Sequence, residues 1–109
     1  MIYSEEITEY GKMIAQQFSP EKIILFGSHA YGHPTKDSDV DILVIMSHKG
    51  SARDAAFEVK NVLPRPFPLD LIVRSQEEIT SRLQRNDFFF QEILQRGKVL
   101  YERGNQRMD

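Results

Sequence analysis

The chain has 109 residues, 40% hydrophobic and 28% charged, a size and mixture that suit one small globular domain and exclude a disordered or fibrous chain. Its formal charge of −2 excludes a broad basic footprint, so no direct nucleic-acid binding is expected. It has no cysteine, which excludes disulfides and thiolate metal sites, and no apolar run near the roughly 20 residues that cross a bilayer. The amino terminus lacks a basic segment followed by an apolar one, so a cytoplasmic protein without membrane association is expected.

Tyr3, Ile7, Tyr10, Ile14 and Phe18 recur at spacings of four and three, which predicts one buried face of a helix. Ser4 is placed to cap it, Glu5 and Glu6 sit at the positive end of its dipole, and Pro20 closes it. Lys22 to Phe26 reads as a short strand buried on both faces, ending at Gly27. The segment HAYGHPTKDS reads as a loop with one helical turn at its start. Asp39 to Met46 reads as a second strand, rich in β-branched residues.

Residues 51–63 place Ala52, Ala55, Ala56, Val59, Val62 and Leu63 on one helical stripe, with Ser51 as cap. Pro64, Pro66 and Pro68 forbid helix and lead into a third strand, Leu69 to Val73. Ser75 with Glu77 and Glu78 opens another helix, with Ile79 and Leu83 on one side. Phe89, Phe90, Ile93 and Leu94 predict a further helix that Gly97 stops, and Lys98 to Tyr101 a last, edge strand. Helices alternating with strands imply a layered α/β domain.

Side chains in a strand alternate between faces, so Asp39 and Asp41 point the same way. Two carboxylates that close repel unless a cation lies between them, and Mg²⁺ prefers one or two carboxylates together with substrate phosphates. Two aspartates at a strand start also suit plain exposure to solvent. Gly27 lets the backbone approach another molecule closely, and Ser28 at the start of a helical turn offers N–H and O–H donors to an anion. An ordinary strand-to-helix turn uses the same pair of residues.

Asp70 is a charge inside an otherwise apolar strand, which costs free energy unless the charge is compensated or faces water on a sheet edge. A strand–helix–strand unit from Asp39 to Asp70 brings all three carboxylates to one rim. There they suit two metal ions about 4 Å apart, the arrangement of in-line phosphoryl transfer.

Gly27-Ser28, ten residues, then Asp-x-Asp at Asp39 and Asp41 resembles the signature of the polymerase-β-like nucleotidyltransferase superfamily. The string LFGSHAYGHPTKDSDVDILV, with the ending FFFQEILQRGKVLYE, is similar to the minimal nucleotidyltransferases, over residues 22–101. The resemblance implies one α/β (α+β) nucleotidyltransferase domain over 1–109, a mixed β-sheet flanked by helices. It implies that Gly27 and Ser28 hold the triphosphate of ATP and that Asp39 and Asp41 bind two Mg²⁺ ions. Asp70 then binds the catalytic metal and helps deprotonate the attacking hydroxyl.

Minimal nucleotidyltransferases often pair with a HEPN-type helical ribonuclease as antitoxin and toxin, AMP passing from ATP to a tyrosine of the toxin. The resemblance implies that role here, with homo- or hetero-oligomeric assembly left open. Two alternatives stay open beside it: a non-catalytic antitoxin acting by occlusion, and a transferase for a small acceptor or an RNA end.

Other features carry less. His29 and His33 have metal-ligand spacing on a helix, but Gly32 and Pro34 argue against helix there. Lys36 reads as a solvated loop lysine, and Phe88 to Phe90 as core or partner contact. The arginines at 74, 82, 85, 96, 103 and 107 read as scattered surface charge.

Overall fold

The computed structural model describes residues 4–65 and 67–104. Helix α1 covers Ser4–Phe18, strand β1 Lys22–Phe26, the single turn α2 Ser28–Tyr31, and strand β2 Val40–Ile45. Helix α3 follows at Ala52–Val62, strand β3 at Leu69–Arg74, helices α4 and α5 at Gln76–Gln84 and Phe88–Arg96, and strand β4 at Lys98–Glu102.

The four strands form one mixed sheet in the order β3-β2-β1-β4. β1 pairs antiparallel with β2 and β4, whereas β2 and β3 are parallel and joined through α3. The fold is therefore a mixed α/β arrangement with helices on both sheet faces, as the resemblance implies.

One face packs Ile7, Tyr10 and Ile14 of α1 and Ala55 and Val59 of α3 against Val40, Ile42, Val44, Leu71 and Val73. The other packs Ile79, Phe90 and Ile93 of α4 and α5 against Ile24, Phe26, Leu43 and Ile45. The central strands β1 and β2 are thus buried on both faces, which is why they read as continuous apolar runs. Tyr10 crosses from helix to loop, its hydroxyl donating to the Leu63 carbonyl at 2.8 Å.

Local chemistry sets the helix ends. Ser51 caps α3 by accepting from the Asp54 N–H, and Ser75 and Glu78 form a reciprocal capping box on α4. Asp87 caps α5 by accepting from the Phe89 and Phe90 N–H groups. At Gly97 a Cβ would lie 2.5 Å from both Ile24 Cγ2 and the Ile93 carbonyl oxygen, so only glycine lets the chain turn from α5 into β4.

Several sequence expectations need correction. Ser4 is itself helical and does not stand ahead of α1. Asp39 lies just outside β2, because pairing reaches only to Asp41 on the β1 side and to Val40 on the β3 side. Val62 is 43% exposed, since α3 turns it off the sheet while Val59 and Leu63 stay buried. Phe89 and Leu94 are only partly covered, because Phe90 and Ile93 are the α5 residues that point into the core. Tyr3, Pro66 and Arg107 lie outside the described residues. No helix among the described residues is long and apolar enough to cross a membrane.

Candidate active site

The register of the sheet aligns three residues across its rim. Phe26 of β1 stands opposite Asp41 of β2, and Asp41 stands beside Asp70 of β3. Val40 and Ile42 turn into the face covered by α1 and α3, so Asp41 between them turns to the opposite face, the one carrying α4 and α5. The same alternation sends Asp70 to that face, because Leu71 and Val73 pack on the other. Neighbouring strands are roughly 4.8 Å apart, so the two carboxylates are lateral neighbours.

Their proximity is visible in the chemistry of Asp41. Burial holds its carboxyl above the ordinary carboxylate value, and the charges of Asp70 and then Asp39 push it further up. His29 acts in the opposite direction. Asp39 and Asp70 are exposed and Asp41 half-buried, so the cluster opens to solvent from one wall of the fold.

The loop before Asp39 is fixed by its own polar residues. The Thr35 N–H donates to Ser38 Oγ at 2.9 Å and the Ser38 N–H to the Thr35 carbonyl at 3.1 Å, folding PTKDS into a tight turn. The Val40 N–H then donates to the Pro68 carbonyl at 2.9 Å, tying the start of β2 to the segment that enters β3. Lys36 is exposed in this turn.

Gly27 closes the site from the β1 side. Its backbone, at φ 75° and ψ −162°, lies in a region that essentially only glycine occupies. A Cβ there would sit 2.0 Å from Asp41 Oδ2, so the absent side chain is the space the carboxylate fills. The Gly27 carbonyl accepts from the N–H groups of Ala30 and Tyr31, both at 2.9 Å, which starts α2 at Ser28 with no side-chain cap. The structure thus brings Gly27, Ser28, Asp39, Asp41 and Asp70 to one end of the sheet.

Two side chains that read as unremarkable in the sequence also belong to this end. The Nε2–H of His29 donates to the Ser38 carbonyl at 3.3 Å, bracing the loop that carries Asp39 while its ring acts on Asp41. The signal was its place directly after Gly27-Ser28. His33 is exposed. The Arg96 guanidinium stacks on the Tyr31 ring, 4.2 Å from its centroid, bringing a cation to the turn after Ser28. Only tertiary packing reveals that contact. Phe89 meets Phe26 edge to face at 5.7 Å, while Phe88 is 79% exposed.

Among the described residues, no three His, Asp or Glu side chains form a metal cage by themselves. The donor set nevertheless suits a hard cation. All three groups are carboxylates, Asp41 is pushed up by its like-charged neighbours, and Mg²⁺ completes its shell with phosphate and water oxygens.

The family model "Polymerase beta, Nucleotidyltransferase" matches residues 5–106. The chain belongs to that nucleotidyltransferase family. A Methanocaldococcus jannaschii protein, provisionally named a protein adenylyltransferase, is 34% identical over 87 residues, covering 74% of this chain and 78% of the relative.

Two solved structures share the fold. One is provisionally described as a nucleotidyltransferase from Sulfolobus solfataricus, with a TM-score of 0.63 at 20% identity over 93% of this chain and 81% of the other. The second comes from a toxin–antitoxin MntA–HpeT complex carrying two aspartate-to-glutamate substitutions. Its TM-score is 0.53 at 18% identity, over 96% of this chain and 77% of that one.

Proposed function

We propose that this nucleotidyltransferase uses magnesium to transfer AMP from ATP to a tyrosine of a HEPN-type helical ribonuclease, and thereby acts in the cytoplasm as the antitoxin of that toxin. Residues 22–101 form its catalytic core. The observation that carries the reading is the register of Asp41 beside Asp70, with Asp39 near enough to act on Asp41 and Gly27 closed against the same carboxylate. The adenylyltransferase name of the M. jannaschii relative and the toxin–antitoxin source of one fold neighbour support it.

In this reading Gly27 and Ser28 receive the triphosphate, the glycine by close backbone approach and the serine by its hydroxyl. Asp39, Asp41 and Asp70 are the residues that would hold magnesium, which when bound supplies positive charge against the triphosphate and lowers the pKa of the acceptor hydroxyl. A tyrosine hydroxyl begins near pKa 10, so it needs a base, and in this reading Asp70, at the exposed edge of the cluster, takes its proton. The acceptor oxygen forms a bond to the α-phosphorus. The bond from that phosphorus to the bridging oxygen breaks, and pyrophosphate leaves with the oxygen.

The test is to incubate the protein with Mg²⁺, ATP and a HEPN-type helical protein, then weigh that partner intact. The expected result is addition of whole AMP units at a tyrosine, absent with the Asp39→Ala, Asp41→Ala double variant. An unmodified partner silenced in a stable complex would replace catalysis by occlusion. Modification of a small alcohol or an RNA end would move the acceptor elsewhere.

A further inference from the structure

The outer side of β3 is open: among the described residues no strand pairs with it, and it ends the sheet. A groove runs along this edge between β3 and α3, and it is lined by Leu71 through Arg74 without a gap. Alternate residues of a strand face opposite sides, so four consecutive residues line one groove only if the strand's edge is itself the wall. The Pro68 and Arg74 carbonyls accept from Val40 and Met46 on the β2 side. By alternation, Leu71 and Val73 turn their N–H and C=O groups outward. The Arg74 guanidinium covers the Val73 carbonyl at 2.8 Å, as charged side chains commonly do on free edges.

The far wall of the groove is apolar and basic together. Ala56 and Phe57 of α3 supply the apolar part, Phe57 being 67% exposed. Arg53, Lys60 and Arg74 line it against a single acid, Asp54. In a chain whose overall charge is −2, this is a local reversal of sign. The groove also leads to the candidate site, since its first strand residue, Leu71, directly follows Asp70.

We propose that the β3 edge is the docking rail for the acceptor, an extended acidic segment of the partner that adds to the sheet as a fifth strand and carries its tyrosine to Asp70. The inference rests on the protein-acceptor reading above and names how that acceptor is held. Residues paired across strands share a face, with Cβ atoms about 4.5–5.5 Å apart, so a tyrosine in register with Asp70 projects beside its carboxylate. Residues in register with Leu71 and Val73 face α3 and are apolar, to lie on Ala56 and Phe57. A residue in register with Arg74 is acidic, and on docking it draws the guanidinium away from the Val73 carbonyl, which the added strand then satisfies. The recognised pattern is Tyr-apolar-x-apolar-acidic, read in one chain sense or the other. Main-chain pairing gives affinity and the alternate side chains give specificity, the usual division in strand addition.

The test uses fluorescein-labelled synthetic peptides containing Tyr-Val-Thr-Val-Glu, or the reverse order, with the wild-type protein and fluorescence anisotropy as readout. One of the two is expected to bind, and exchange of its glutamate for lysine to weaken binding by about tenfold or more. Methylating alternate backbone nitrogens should abolish binding for one alternate set and spare the other, because only one edge of the peptide meets β3. The Arg53→Glu, Lys60→Glu variant should lose peptide binding at least about tenfold while keeping its melting temperature and its Mg²⁺–ATP shift.

Equal binding of both methylated sets, or of the lysine and glutamate peptides, would overturn the rail. So would a concentration-dependent dimer that excludes both peptides. A peptide that binds as described but receives no AMP from Mg²⁺–ATP would leave the rail standing and count against the transfer reading instead.

Discussion

A Cβ built on Gly27 lies 2.0 Å from Oδ2 of Asp41, so the turn after β1 and the carboxylate of β2 occupy complementary space. Gly27→Ala is therefore expected to destabilise the protein by about 1–3 kcal/mol, from backbone strain at φ 75°. The clash with Asp41 adds to that figure. Removing the carboxylate as well, in Gly27→Ala with Asp41→Ala, should restore part of the loss, with a coupling of about 0.5–3 kcal/mol. Denaturant titration of the four proteins measures it, and strictly additive effects would show that the two residues do not share this space.

Asp41 should make the apo protein lose stability as pH rises. Burial, then Asp70, then Asp39 raise its folded pKa above the ordinary 3.8, so between those two values the native state holds more proton than the unfolded chain. Stability falls with rising pH wherever the native state binds more protons, and above the folded pKa the full cost remains. Asp41→Asn should remove this slope and leave the apo protein at least as stable as wild type at neutral pH. Melting temperatures across the acid range check the sign, and a less stable Asp41→Asn would contradict the repulsion. Asp39→Asn should act in the same direction.

Glu78 has the opposite sign. Its pKa is lowered chiefly by the hydrogen bond with His48, Oε1 to Nε2 at 2.9 Å, and then by the Ser75 N–H of the capping box. A depressed folded pKa contributes stability above the ordinary value of 4.5, and that contribution is lost as pH falls through the folded value. Glu78→Gln should be less stable than wild type at neutral pH and converge with it in acid. Parallel curves would show that the carboxylate charge contributes nothing.

The sequence made the site easier to read than the sheet around it. Gly27, Ser28, Asp39, Asp41 and Asp70 stand out through the spacing of a glycine turn, an Asp-x-Asp pair and a later strand carboxylate that resembles a known signature, and local patterning alone places β1 at Lys22–Phe26. That β4 lies beside β1 and leaves β3 on the edge was not legible, because strand order depends on which distant edges pair. Asp39 was expected inside β2, yet period-two alternation cannot say where the partner strand stops. His29 stands out in the sequence only as one half of a His29–His33 metal spacing, and its contact with the Ser38 carbonyl depends on how the loop folds back. The groove along β3 exists only because α3 lies beside a free edge, which no segment reveals by itself.

Mg²⁺ with ATP should raise the melting temperature, since a ligand that binds only the native state stabilises it by mass action and a cation relieves the repulsion at Asp41. ATP with EDTA should do much less. Equal shifts with and without the metal, followed by thermal denaturation, would remove Asp39, Asp41 and Asp70 as its ligands.

The most direct test of the carboxylate cluster is transfer of label from α-³²P-ATP to the partner protein by wild type, Asp41→Asn and Asp70→Asn, each checked for native circular dichroism. A group that acts on the transition state contributes far more to rate than to packing, so both variants should fold normally and lose at least about 100-fold in rate. Near-wild-type transfer by Asp70→Asn would make Asp70 an ordinary charge on an edge strand and contradict the site.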